Sequence, residues 1–318
     1  MKRLLLLLIQ VGILAAGVWY ALKYLDLQRV LAALSGVPVW KVVLVLLFQA
    51  CLSWCAVAFR LYVLCRREVP FSTVLLAQSL AQFLNLLLPA KLGEAAKMAL
   101  LSRALKGSGG LARVTEIVFW ERFSDLNALL FLALLSGALL GSSALAAPLA
   151  LVVAGIWGAV FVLKFWGGFV ERLLGRLPWP RLAGYFVGVA RALRERLSLG
   201  FALGLAALTL PLWLGEVLVH GYMLRGVFGL DLTLVQILAV SVVGVAGLSV
   251  PATPGSVGVY EAALVAALVA FGQLREESLA AALLLHAVLL VPALAIGCWA
   301  MARIGFKAAL ALGRAQAG

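Results

Sequence analysis

Four ionisable residues crowd one stretch of an otherwise apolar run, VTEIVFWERFSDLNALL: Glu116, Glu121, Arg122 and Asp125. Glu121 and Asp125 lie four apart and share a helical face, while Arg122 and Asp125 are three apart and within pairing reach. Charge inside a bilayer costs roughly 2.5–3.5 kcal/mol per residue on insertion scales. These groups must therefore face protein or water. They form either an ion pair that bridges helices or the wall of a cavity that binds a headgroup or relays protons.

Two further stretches break greasy sequence with proline, glycine and charge. NLLLPAKLGEAAK holds Asn85, Lys91, Gly93, Glu94 and Lys97, and PATPGSVGVYEAAL holds Gly255, Ser256, Gly258, Tyr260 and Glu261. Proline removes a backbone donor and glycine opens backbone geometry closed to other residues, so a helix stops and another begins. The new helix presents unpaired N–H groups and the positive end of its dipole, a natural anion site. Backbone donors at Gly93–Glu94 and at Gly255–Gly258 are thus candidates to hold phosphate oxygens, with Lys91 and Lys97 adding positive charge. Glu94 either satisfies the helix start, pairs with a cation such as Arg122, or binds a cationic part of a substrate. Tyr260 and Glu261 raise the same options.

Glu216 and His220 are one turn apart in LPLWLGEVLVHGYML. They read as a hydrogen-bonded pair or as a proton relay, because histidine titrates near neutrality. Two ligands without others nearby do not make a metal site, and neither metal nor cofactor is expected. His286 reads as an interhelical hydrogen-bonding group. Arg60, at the end of an apolar run, is expected to snorkel to the cytoplasmic surface.

The elements that must position these groups follow from composition. The 318 residues are 65% hydrophobic with a mean hydropathy of +1.11, against roughly 45–50% apolar in an ordinary soluble domain. The runs lack strand alternation, so an all-α integral membrane protein is expected. Six full crossings are placed at residues 4–24, 42–65, 114–135, 147–165, 199–224 and 279–302. The first reads as an uncleaved helix, since its apolar run exceeds a signal-peptide core and ends in Trp19 and Tyr20. The four cysteines, Cys51, Cys55, Cys65 and Cys298, lack zinc or redox spacing and read as small buried apolar groups.

The net charge of +13 excludes little by itself. Its basic residues sit mainly in loops, where orientation and anionic lipid account for them better than nucleic acid does. Lys2 and Arg3, Arg66 and Arg67, the arginines of residues 166–197, and Arg303, Lys307 and Arg314 place both termini in the cytoplasm of a bacterial inner membrane. Residues 166–197 read as one or two basic amphipathic helices on the cytoplasmic surface. Residues 71–106 and 234–272 then enter and leave on one side each, from opposite faces. Two opposed re-entrant hairpins within a single transmembrane domain, 1–318, are the mark of an inverted repeat.

The order of an arginine ending a helix (Arg60), then NLLLPAKLGEAAK, then ERFSDLNALL, then PATPGSVGVYEAAL resembles the flippase-like transmembrane region of lysylphosphatidylglycerol synthases and their stand-alone relatives. The resemblance covers nearly the whole chain. It implies two opposed re-entrant elements and the handling of lipids. In the fused members this region is thought to move aminoacylated phosphatidylglycerol between leaflets, and a soluble aminoacyl-transferase domain follows it. No such domain follows here, so synthesis of the aminoacyl lipid by this chain is not expected. A lipid translocase without enzymatic activity, acting on a phospholipid, glycolipid or polyprenyl-linked lipid with an anionic headgroup, is the leading expectation. The alternative is a membrane-embedded transferase, or an accessory subunit of a lipid, glycolipid or hopanoid pathway. A homo-oligomer or a biosynthetic enzyme partner fits either reading. The absence of a GxxxxGK[ST] motif removes ATP as the direct drive.

Overall fold

The computed structural model describes residues 26–87, 92–105, 110–249 and 253–305. The expected first crossing, together with Pro89, Lys91 and Pro251, lies outside them. Among the described residues all regular structure is helical. Helix α1 is Leu27–Ser35, and Asp26 starts it by accepting from the backbone N–H of Gln28 and Arg29. Helix α2 is Val39–Leu64, with a wide π-type turn at Cys51–Ala56. Then follow α3 (Phe71–Leu87), α4 (Leu92–Ala104), α5 (Gly110–Leu139), α6 (Ser143–Gly175) and α7 (Pro180–Arg196). Helix α8 is Leu199–Val227, α9 Leu234–Ser249, α10 Val259–Ala270 and α11 Arg275–Ile304.

Five of these are long and apolar enough to cross a membrane: α2, α5, α8, α11 and the Ala146–Gly175 part of α6. They match the five expected crossings that fall on described residues. Helix α6 runs beyond its expected end at residue 165. It bends at Trp166, where φ −116° and ψ 24° leave helical geometry, so the start of the basic segment is continuous with the span. The rest of that segment is α7, which opens with Pro180 at its first turn. Helix α7 packs against α5 and α6.

Four of the other six described helices form the two interrupted stretches. Helices α3, α4, α9 and α10 have 17, 13, 16 and 12 residues. At 1.5 Å per residue they rise only about 18–26 Å, short of the roughly 30 Å of a bilayer core. They form two antiparallel pairs. In the first, Gln78 meets Lys97 while Asn85 meets Gly93. A Cβ at Gly93 would stand 2.0 Å from the Ala81 carbonyl oxygen, so only glycine allows the approach. In the second, Gly244 faces Leu264 and Tyr260, and Gly247 faces Ala263. Thr233 and Gln236 open α9 reciprocally, each accepting the other's backbone N–H.

Helices α5 and α11 are the pillars. Helix α5 touches α2, α4, α6, α7, α8 and α9, and α11 touches α1, α2, α3 and α10. One apolar core joins α8 to α11 around Met223, Tyr260, Leu264 and Leu285; another joins α2 to α5 and α7 around Leu61, Leu101, Ile117 and Leu193. Large apolar side chains such as Val39, Leu151, Leu199 and Leu234 point outward, as a lipid-facing surface requires.

Candidate functional site

Between the two cores lies a polar cavity of about 580 Å³. Side chains of α2, α3, α4, α5, α8, α9 and α11, and the turn before α10, line it. The two short-helix pairs touch beside it: the Pro254–Ser256 turn packs on α3, with Gly255 against Leu86. That turn needs left-handed backbone, with φ of 63° at Gly255, 58° at Ser256 and 86° at Gly258. The two glycines take it freely, whereas Ser256 is strained. Its N–H donates to Thr253 O and its hydroxyl to Leu248 O.

One wall is a network of three cations and three carboxylates. Arg60, 2% exposed, donates to both oxygens of Asp125 at 2.6 and 3.1 Å and lies 3.9 Å from Glu121. It also donates to Thr209 Oγ1. Lys97 is fully buried, 2.7 Å from Glu121 and 2.8 Å from Glu94. Arg122 bridges Glu121, Glu94 and Asp125 at 3.1, 3.4 and 3.5 Å. Its side chain is half exposed, so it is the cation of this network most open to the cavity. Each charge is compensated on the spot, which is the condition for holding six ions away from bulk water. Trp213 Nε1 adds a hydrogen bond to Asp125.

A second polar cluster is built on α8 and α11, with α10 behind them. Glu216 accepts from Gln49 Nε2 at 2.9 Å, while the other amide atom, Gln49 Oε1, is buried without a partner. His220 Nδ1 meets the backbone oxygen of Glu216, so that nitrogen carries a proton. Neutral His220 then accepts at Nε2 from the Tyr260 hydroxyl, 3.0 Å away. Beside them His286 sits 2.6 Å from Glu261 Oε1 through Nδ1 and 2.9 Å from Gly255 O through Nε2.

The sequence profile of the "Lysylphosphatidylglycerol synthase TM region" matches residues 7–297. The chain belongs to that family. No curated protein matches it. Membership makes this a membrane protein related to lipids, as the apolar helices require.

In this member of the lysylphosphatidylglycerol synthase transmembrane family, Asn85, Glu94, Arg122, Asp125, Gly255 and Ser256 line the cavity, with Glu216 and His220. Lys97, Glu121, Tyr260 and Glu261 lie one layer behind, all buried. Two expectations change. Backbone donors at both helix starts are already taken: Gly93 N–H by Asn85 Oδ1 at 2.8 Å and Gly258 N–H by Glu261 Oε2 at 2.7 Å. A buried donor is satisfied from within the chain when a polar side chain is in reach. Lys97, likewise, is enclosed by carboxylates and does not open to the cavity. Arg60 does not snorkel: it points inward to Asp125, because a carboxylate at 2.6 Å is a better partner than a distant interface.

Glu216 and His220 meet through the Glu216 backbone and not through its carboxylate. Glu116 belongs elsewhere, paired with Arg196 of α7 at 3.1 Å. The sequence reading missed Gln49, Gln78, Gln82 and Trp213 as cavity residues. Neutral amides in an apolar run carry no charge alarm. Their spacing onto the cavity face (Gln78, Gln82 and Asn85 at intervals of four and three) was the available signal.

Proposed function

We infer that this chain is a lipid translocase, moving a lipid with an anionic headgroup between the leaflets of a bacterial inner membrane. The observation that carries the reading is a polar, charge-lined cavity beside which two sub-membrane-length helix pairs meet, the turn before α10 against the end of α3. Backbone breaks at membrane depth are tolerated only beside protein or a wet cavity. In this reading the pairs are re-entrant hairpins inserted from opposite faces, with both termini cytoplasmic. Each then gives access from one side, as in inverted-repeat transporters.

The headgroup enters the cavity while its acyl chains stay in lipid. Arg122 meets the phosphate, since it is the wall's most open cation. Glu94, Asp125 and the amides of Gln49, Gln82 and Asn85 accept or donate to hydroxyl or amine groups beyond it. Gln49 Oε1, buried and unpartnered, is an acceptor awaiting such a donor.

Reconstitution in liposomes tests this, with a fluorescent lipid in one leaflet and a membrane-impermeant quencher outside. Exchange above that of empty liposomes supports translocation. No exchange with any anionic lipid, from a protein shown to be folded, rejects it. Turnover of a lipid phosphate to a new product without exchange would favour the transferase instead.

A further inference from the structure

The Glu261–His286 pair has hydrogen-bond geometry that fixes its proton count. Gly255 O is an acceptor only, so the His286 Nε2 facing it at 2.9 Å must carry hydrogen. Nδ1 and Glu261 Oε1, 2.6 Å apart, then need one proton between them. It sits on the imidazole or on the carboxyl, and either form closes the bond. Without it, a lone pair faces a carboxylate at close range. Glu261 Oε2 is fixed meanwhile by the Gly258 N–H.

Both ends of this device hold the same turn. Glu261 grips it at Gly258 and His286 at Gly255, the residue that packs on Leu86 of the other hairpin. The neighbouring groups leave the proton to this pair. On α10, Tyr260 packs against His286 with centroids 4.7 Å apart and the rings tilted by 47°, and gives its hydroxyl hydrogen to His220 of α8. Glu216 of α8 is engaged by Gln49 of α2. Leu86 of α3 and Leu248 of α9, the neighbours at the turn, carry no charge. His286 also lines the cavity, which gives the proton a route in.

We propose that Glu261 and His286 form a single-proton binding site that latches the tip of the second hairpin against the first, and that proton loss releases the tip. The proposal rests on the translocase reading only for its use: in that setting, a proton gradient drives the tip's movement.

The test reads the latch directly. Ser256→Cys, placed at the tip in a background lacking the four native cysteines, is labelled with an impermeant thiol reagent from pH 5 to 9. Each rate is divided by that of the same protein carrying Glu261→Gln, which cancels thiolate chemistry. The glutamine keeps an oxygen for Gly258 and gives a fixed N–H to His286 Nδ1, so it imitates the proton-loaded state. The ratio is expected to be near one at low pH and to rise several-fold through a single one-proton transition.

A ratio that stays flat overturns the proposal. Should Glu261→Gln fail to fold, His286→Gln supplies the reference, since its amide keeps a donor for Gly255. The ¹⁵N signals of the two histidines give a second readout. Titration at His286 that Glu261→Gln abolishes or displaces supports the site, and an unchanging pair of nitrogens rejects it. A rising ratio in protein that moves no lipid would leave the latch standing and remove the translocase reading.

Discussion

Arg60 donates two hydrogen bonds to the Asp125 carboxylate, and Glu121 and Lys97 lie directly behind them. Removing one partner strands the other charge, which costs about 3–5 kcal/mol at buried pairs. Asp125→Ala is therefore expected to lower the unfolding free energy in mixed micelles by that order, and a loss below 1 kcal/mol would contradict the network. Arg122 is different, being half exposed with three carboxylates near it. Arg122→Ala should leave folding nearly intact yet slow lipid exchange. A lost charge-assisted contact of about 1.5–3 kcal/mol corresponds to roughly ten- to a hundredfold. The acids of this wall were legible as residues, since Glu121 and Asp125 share a face of one run. Arg122 was legible as their partner from its spacing, and it does pair with Asp125, Glu121 and Glu94; Arg60 was not, because it lies 65 positions from Asp125 and no local spacing links them. Lys97 was legible as a charge but not as an enclosed one, which depends on three separate helices.

The two helix pairs are held by close approach more than by propensity. Gly93→Ala places a methyl within 2.0 Å of the Ala81 carbonyl, and backbone cannot yield as a side chain can. Overpacking of this kind costs about 1–3 kcal/mol. A visible fall in thermal midpoint is expected, with α3 and α4 labelled more readily at their facing surfaces. Asn85→Ala is milder, leaving the Gly93 N–H without its 2.8 Å acceptor. In the loop after α2, outside the membrane-spanning helices, Glu68 accepts from Arg113 at the start of α5. That hydrogen bond holds the Glu68 carboxyl below its ordinary 4.5. A depressed carboxyl stabilises the fold above its unfolded value, and the contribution is lost as the pH falls through the lowered one. Glu68→Gln should thus lower stability slightly at pH 7, converge with the native protein at low pH and so flatten the drop below about pH 4.5, and an unaltered acid limb would dismiss the bond. At this scale the breaks were readable from Pro-Gly chemistry and the pairing from helix length. The meeting of the turn at Gly255 with Leu86 was not, since a contact between hairpins some 170 residues apart leaves no trace in either sequence.

Across the whole molecule, hydropathy located each described crossing, because lipid imposes the same apolar requirement everywhere along a span. It could not show that α6 bends at Trp166, nor that α7 docks through Arg196 on Glu116. The balance of the cavity wall has a consequence for synthesis. Arg60 and Lys97 leave the ribosome before Glu121 and Asp125, which arrive only with α5. Until then the nascent chain carries Arg60 uncompensated and Lys97 with only Glu94 beside it in segments bound for lipid, and the translocon must shelter them or let them lag at the interface. Chains halted before α5 should accordingly be poor at staying inserted, and complete ones should lock their first half only when that helix enters.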